Sequence, residues 1–234
     1  MLRRVLFACL VLSACSAPQA TPPSGPPSSG PSTIGQTATG QTTTGSVPPT
    51  TEGESWAQLQ AKVRRAVIPL DGMADYGIPA AEEDEDTPNS LTPADGLCGK
   101  KLGFTLGPGR YRMFSGDRIL VHNAAWAFQA RTGKNVVELV AAQAAACTTW
   151  KDEDGFDHKI RTDLGIGQPA GVDAFFAYCD ETADQTKKFR YCGALAARGN
   201  SLIEVATASH ITRRETLSDL RAVLPRAIDR LLAA

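Results

Sequence analysis

The sequence predicts an α+β domain: a central antiparallel β-sheet with helices packed on one face, held by two disulfides. Three observations point there. Residues 174–209, AFFAYCDETADQTKKFRYCGALAARGNSLIEVATAS, read as consecutive antiparallel strands. Amphipathic helical patterns precede and follow them. An even set of cysteines, Cys98, Cys147, Cys179 and Cys192, remains beyond the N-terminal leader.

The strand segment carries its own register. Arg198-Gly199-Asn200-Ser201 is a hairpin signal, because Gly and Asn tolerate the positive φ such turns demand. Asp184-Gln185-Thr186-Lys187 is a polar break where the chain turns again. Placing Cys179 opposite Cys192 sets Glu181 against Arg190 and Asp173 against Arg198. Each opposite-charge pair of this kind is worth about 0.2–1 kcal/mol. Side chains alternate between faces. Phe175, Ala177, Cys179, Cys192, Ala194, Ala196, Ile203 and Val205 therefore share a small, branched face suited to a helix. Phe176, Tyr178, Phe189, Tyr191, Leu195, Leu202 and Glu204 share the other, aromatic with polar tips, which is expected either to be covered or to line a groove.

The chain begins with Arg3 and Arg4, a short apolar run and then Leu12-Ser13-Ala14-Cys15. Residues 1–14 are a secretory signal, too short for an ordinary membrane-spanning helix. Leu-Ser-Ala-Cys resembles the lipobox of bacterial lipoproteins. That resemblance implies cleavage before Cys15, acylation of its thiol, and anchoring at the outer face of the bacterial cell membrane. Two or three acyl chains anchor stably, whereas one is marginal. Residues 15–53 are almost entirely Pro, Ser, Thr, Gly, Ala and Gln, so they cannot bury enough surface to offset ordering; a disordered linker is expected. Cys9 leaves with the signal. Of the three pairings open to the remaining cysteines, the hairpin register favours Cys179–Cys192 and leaves Cys98–Cys147. A zinc site is disfavoured, as no close Cys-x-x-Cys pair exists.

Residues 54–234 form the folded part. Ser55 opens a helix with Gln58 completing a capping box, Trp56, Leu59, Val63 and Val67 on its apolar stripe, and Pro69 ending it. Glu82-Glu83-Asp84-Glu85-Asp86 reads as a solvated loop. Arg110–Phe114 and Arg118–Gln129 read as strands. A helix from Thr132 or Gly133 buries Val136, Val137, Val140, Ala144 and Cys147. Residues 150–163 suggest edge strands. Thr212-Arg213-Arg214-Glu215 is a second capping box, opening a helix that buries Leu217, Leu220, Leu224, Ile228, Leu231 and Leu232, with a kink or division at Pro225.

The chemistry is sparse. Formal charge is −1, so no basic field points to nucleic acid. Gly165, Gly167 and Gly171 lack phosphate-loop spacing, and Asp152-Glu153-Asp154-Gly155 is too short for a calcium loop. His122, His158 and His210 show no zinc-helix spacing, and no Gly-x-Ser-x-Gly elbow exists. No catalytic residue, metal or cofactor is expected.

A broader resemblance rests on the Cys98 loop, the helix ending in Ala144-Ala145-Ala146-Cys147, the paired Cys179 and Cys192, and Ala197-Arg198-Gly199-Asn200 leading into a strand and C-terminal helix. From Ser55 to Ala234 the chain resembles the PknH-type extracellular sensor domain, found outside some bacterial membrane Ser/Thr kinases and in stand-alone lipoproteins. The resemblance implies disulfides paired in chain order, a mixed helix and antiparallel-sheet fold, and a cleft for an unidentified ligand. It supplies no catalytic residue, and without a kinase domain the signalling role does not carry over. The expected function is non-catalytic: a lipid-anchored module that binds a small molecule, lipid, wall fragment or protein. Phe176, Tyr178, Tyr191 and Leu202, with Trp126 and His122, are the candidate ligand residues. The alternatives are an envelope hydrolase, or a structural or interaction protein with a flat apolar patch.

Overall fold

A computed structural model describes residues 53–86, 93–100, 107–152, 155–182, 190–209 and 213–234. The leader, Cys15, the linker through residue 52, Phe189 and His210 lie outside the described residues. In chain order the elements are α1 (Trp56–Ala66), β1 (Glu83–Asp86), β2 (Gly109–Ser115), β3 (Leu120–Ala127), α2 (Gly133–Ala146), β4 (Thr149–Lys151), β5 (Asp157–Arg161), β6 (Ala174–Thr182), β7 (Arg190–Arg198), β8 (Ser201–Ser209) and α3 (Arg213–Ala233). Short 3-10 segments lie at Ala74–Tyr76 and, across a kink, at Pro93–Gly99.

The strands make one antiparallel sheet in the order β1-β2-β3-β8-β7-β6-β5-β4. Its centre is the three-strand meander, in the register that sets Cys179 opposite Cys192 and Glu181 opposite Arg190. Asp173 behaves differently from the sequence expectation. Its carboxylate accepts from the Gly199 N–H at 2.6 Å, and Arg198 donates to the Leu232 carbonyl. The turn offers Asp173 an unpaired backbone donor, which takes precedence over a cross-strand ion pair.

The predicted face division holds. The small face packs against α1 and α3, in a core containing Leu59, Val63, Phe114, Ile203, Val205, Leu220 and Val223. Its disulfide, Cys179–Cys192, is buried there. Helix cover is not confined to that face. Helix α2 lies on the aromatic side, where Val136, Val137, Val140 and Ala144 join Trp126, Tyr178, Leu195 and Leu202 in a second core. The second disulfide, Cys98–Cys147, ties the Pro93–Gly99 segment to the end of α2. Thr132 caps α2, its Oγ1 accepting from the Asn135 N–H at 3.4 Å. The helix starts directly on the β7–β8 turn: the Gly133 N–H donates to the Gly199 carbonyl at 3.0 Å. A Cβ on Gly133 would stand 2.2 Å from the Ser201 carbonyl oxygen, so only glycine allows this approach.

Three local expectations are corrected. The capping box on α1 forms, with the Ser55 N–H donating to Gln58 Oε1 at 2.7 Å. Trp56, however, is 49% exposed; the buried stripe is Leu59, Val63, Ala66 and Val67. Helix α3 runs through Pro225 rather than dividing there. Pro225 sits on the exposed side, where the carbonyl it deprives of a donor meets water rather than apolar core.

The third correction is the acidic run. Rather than a solvated loop, Glu83–Asp86 is strand β1, paired to β2 with Asp84 opposite Arg112 and Asp86 opposite Arg110. Asp84 accepts from Arg112 Nε at 2.8 Å and also pairs with Arg110; Asp86 accepts from Arg110 and from Arg64 of α1, each at 2.9 Å. Like charges separated in sequence by two residues become neighbours of cations on the next strand, and repulsion is replaced by a network. Burial pushes the Asp84 carboxyl up, and the hydrogen bonds from Arg110 and Arg112 outweigh it, leaving it below its ordinary value. A carboxylate depressed in the folded state stabilises above its unfolded pKa, and that contribution is lost as pH falls through the folded one. Backbone NMR signals of β1 are therefore expected to shift and broaden as pH drops below the ordinary carboxylate range, ahead of global unfolding. The charge-removing variant Asp84→Asn should show this loosening already at neutral pH. Unaltered β1 signals in Asp84→Asn would refute the network's role.

Candidate ligand cavity

The aromatic face is covered unevenly. Helix α2 packs over the end nearest the β7–β8 turn, where Leu202 lies opposite Trp126 across β8 and β3. At the other end of the same strands, Ala206 pairs with His122, Ala208 with Tyr191, and Tyr191 with Asp180. That end is concave. A cavity of about 360 Å³ opens there, lined by Gly96, His122, Trp150, His158, Asp180, Tyr191, Ala206 and Ala208. Small-molecule sites usually start near ~300 Å³, so the volume suits a modest organic ligand.

Each wall has a local cause. Strands β4 and β5 place Trp150 opposite His158, and the two rings stack with centroids 4.2 Å apart. Alternation along β6 puts Asp180 on the face of Phe176 and Tyr178. Both Asp180 carboxylate oxygens lie 3.0 Å from His158 Nδ1, and Asp152 Oδ2 lies 3.2 Å from Nε2. Asp180 is only 3% exposed. Burial raises its pKa, an effect the neighbouring His158 opposes. On the other wall, His122 Nδ1 is 3.0 Å from the Tyr111 hydroxyl, and burial lowers the pKa of His122. Burial, followed by Glu83 and Glu85, pushes Tyr111 up to about 12.

Beneath the floor runs a hydroxyl chain. The Tyr191 hydroxyl is 3.5 Å from that of Tyr178, which donates to Glu204 Oε1 at 3.3 Å; the Ala94 N–H donates to the same oxygen at 3.0 Å. Burial holds both tyrosine pKa values well above the ordinary, so neither hydroxyl is poised to ionise. Gly193 lies opposite Tyr178 on β7, and a Cβ there would come 3.1 Å from the phenol ring. The glycine gives that ring its seat.

Of the residues singled out from sequence, Tyr191 and His122 line the cavity. Trp126, Tyr178 and Leu202 are fully buried in the core shared with α2, and Phe176 is half-buried, stacked on Tyr178. Face alternation identifies their side of the sheet correctly; it carries no information about which end of that side a helix occupies. Trp150, His158 and Asp180 were not singled out. Asp180 shares the parity of Tyr178, which was a usable signal. His158 had none, because its carboxylate partners come from β6 and from the β4–β5 connection.

Among the described residues, no histidine hydrogen-bonds to a serine, and no group of three His, Cys, Asp or Glu side chains is arranged to hold a metal ion. Within the same residues no helix is long and apolar enough to cross a membrane.

The chain is similar in structure to the extracellular domain of PknH from Mycobacterium tuberculosis, with a TM-score of 0.50. The match covers 78% of this chain and 99% of that domain at 12% sequence identity. At that identity the likeness is one of fold. No protein-family model matches the chain, and no curated protein sequence does.

Proposed function

We propose that this chain is a non-catalytic ligand-binding module of the bacterial cell envelope, anchored by lipid on Cys15 and carrying its ligand in the cavity lined from strands β3 to β8. The observation that carries the reading is the cavity itself, about 360 Å³ with aromatic, imidazole and carboxylate groups converging on an alanine floor. Two further features support it. Both nitrogens of His158 face carboxylates and the nearby tyrosines resist ionisation, so the polar groups are arranged to hold rather than to react. The large exposed apolar residues Trp56, Leu70, Leu139 and Phe156 stand on separate segments, whereas an envelope interaction protein would present one flat patch. The extracellular PknH domain, whose fold is similar, offers a precedent for such a module outside a membrane. Nucleic acid remains an unfavoured partner at a formal charge of −1.

The test is expression of the full chain in a lipoprotein-processing bacterium, followed by native mass spectrometry. A small molecule should be retained in stoichiometric amount and lost in Ala208→Phe, which fills the cavity floor. Cys15→Ala should move the protein from the membrane fraction to the soluble one. Absence of any retained species, or equal retention by Ala208→Phe, overturns the binding site; unchanged membrane association overturns the anchor.

A further inference from the structure

We propose that the cavity selects a neutral guest with an apolar body and one acceptor oxygen, received by the Nε2–H of His122. This rests on the ligand-binding reading and gives it a ligand class. The charged groups at the cavity are engaged with one another. Both Asp180 oxygens lie 3.0 Å from His158 Nδ1. Asp152 Oδ2 lies 3.2 Å from Nε2 of the same ring, while Asp152 Oδ1 accepts from the Phe156 N–H at 2.8 Å. A cationic guest would have to compete with His158 for Asp180, and an anionic one meets no Lys or Arg among the described residues lining the cavity. Burying an ion without a partner is costly, whereas an uncharged apolar body gains by leaving water. The surface left to such a body is the floor of Ala206 and Ala208, the backbone at Gly96 and the rings of Trp150 and Tyr191.

His122 supplies the polar contact. It is half-buried on β3, with Ala206 of β8 opposite it on one side. On the other side its Nδ1 meets the Tyr111 hydroxyl of β2 at 3.0 Å, and its Nε2 has no hydrogen-bond partner among the described residues. The hydroxyl decides which ring nitrogen carries the proton. Tyr111 is buried, and burial, followed by Glu83 and Glu85, pushes its pKa up to about 12, so the phenol keeps its proton. A buried phenol O–H needs an acceptor, and His122 Nδ1 is the one within reach among the described residues. Burial lowers the pKa of His122, which favours the neutral ring. A neutral imidazole that accepts at Nδ1 donates at Nε2. A carbonyl or ether oxygen on the guest satisfies that donor, whereas a hydrocarbon of the same shape leaves it without a partner.

The test uses the full chain and has two parts. Nitrogen NMR of isotope-labelled histidine should show His122 protonated at Nε2 and bare at Nδ1, a preference that Tyr111→Phe should lose. Isothermal titration then compares acetophenone with α-methylstyrene, in which a methylene replaces the carbonyl oxygen, and with benzoate as the charged counterpart. His122→Phe should weaken acetophenone about fivefold, the scale of one neutral hydrogen bond, and leave α-methylstyrene within about twofold. Following each probe from one protein to the other cancels the hydrocarbon's greater tendency to leave water. Tyr111→Phe keeps the imidazole and should weaken acetophenone in the same direction; it guards against a folding defect in His122→Phe, which near-ultraviolet circular dichroism would reveal. Benzoate should bind more weakly than acetophenone. Equal loss of both neutral probes in His122→Phe, or a ring protonated at Nδ1, overturns the role of His122 and leaves the ligand-binding reading standing. Tighter binding of benzoate than of acetophenone overturns the neutral class in the same way. Binding by none of the three also overturns the proposal; combined with no retained molecule in the mass spectrum, that result removes the ligand-binding reading as well.

Discussion

Replacing Cys98 and Cys147 together by alanine is expected to lower the unfolding temperature by roughly 8–16 °C. The bond closes a ring with a sequence separation of 49. On the chain-entropy account a ring of that size contributes about 4 kcal/mol. In a domain of this length each kcal/mol is worth about 2–4 °C. The local consequence is as large as the global one. The Pro93–Gly99 segment has little regular structure of its own, and Cys98 sits within it at a φ of 64°, a left-handed conformation unusual for a residue with a Cβ. What keeps it in place is the disulfide, Gln143 of α2 donating to the Leu97 and Lys100 carbonyls, and the Ala94 N–H bonded to Glu204. Gly96 of this segment lines the cavity. Loss of the bond should therefore weaken probe binding as well as stability. Scanning calorimetry of the double variant, alongside titration below its transition, measures both. A shift under about 2 °C would contradict the account. The Cys179–Cys192 ring, with a separation of 13, is worth about 3 kcal/mol on the same account. Its removal should leave the cavity in place, because the two strands are also paired by their backbones.

Asn123→Ala is expected to cost about 1–3 kcal/mol or somewhat more without touching the cavity. Asn123 is completely buried on β3. Its Oδ1 accepts from the Ile68 N–H at 2.6 Å, and its Nδ2 donates to the Glu204 carbonyl at 3.2 Å. One amide thus anchors the chain leaving α1 to two strands of the sheet. Alanine would strand the Ile68 N–H in the apolar core, at about 1–3 kcal/mol, and remove a second bond from the Glu204 carbonyl. Urea denaturation should show the lower midpoint at an unchanged slope. Amide exchange should show the Ile68 N–H losing protection ahead of its neighbours. Retained protection at Ile68 would mean the hydrogen bond is not what secures that segment.

The disulfide and Asn123 illustrate different kinds of legibility. Cys98 and Cys147 are readable because the cysteines of residues 54–234 are few and even in number. Asn123 is unreadable, since a polar residue inside an apolar strand announces itself only when its partners, 55 and 81 residues away, are known. The acidic strand is a third case. Glu83–Asp86 looks like solvated loop by composition, and becomes strand because Arg110 and Arg112 alternate at matching positions across β1 and β2. A local rule about like charges yields there to a pairing that joins segments far apart in sequence.

What the sequence alone determined is everything with a short period: alternation along the β6–β8 meander, the hairpin turn at Gly199-Asn200, the Ser55 capping box, and the cysteine register that locks two strands. Such features depend on neighbours within a few residues, so residue type is enough to specify them. The tertiary structure alone decided which end of the aromatic face α2 covers, and so where the cavity lies. That choice is made by a glycine contact at Gly133 and a disulfide at Cys147, which set the position of the helix on the sheet. It also brought Asp152, His158 and Asp180 together from three separate segments. A cavity is a place where packing is left incomplete, and that is a property of the assembled layers, for which no stretch of chain carries a pattern.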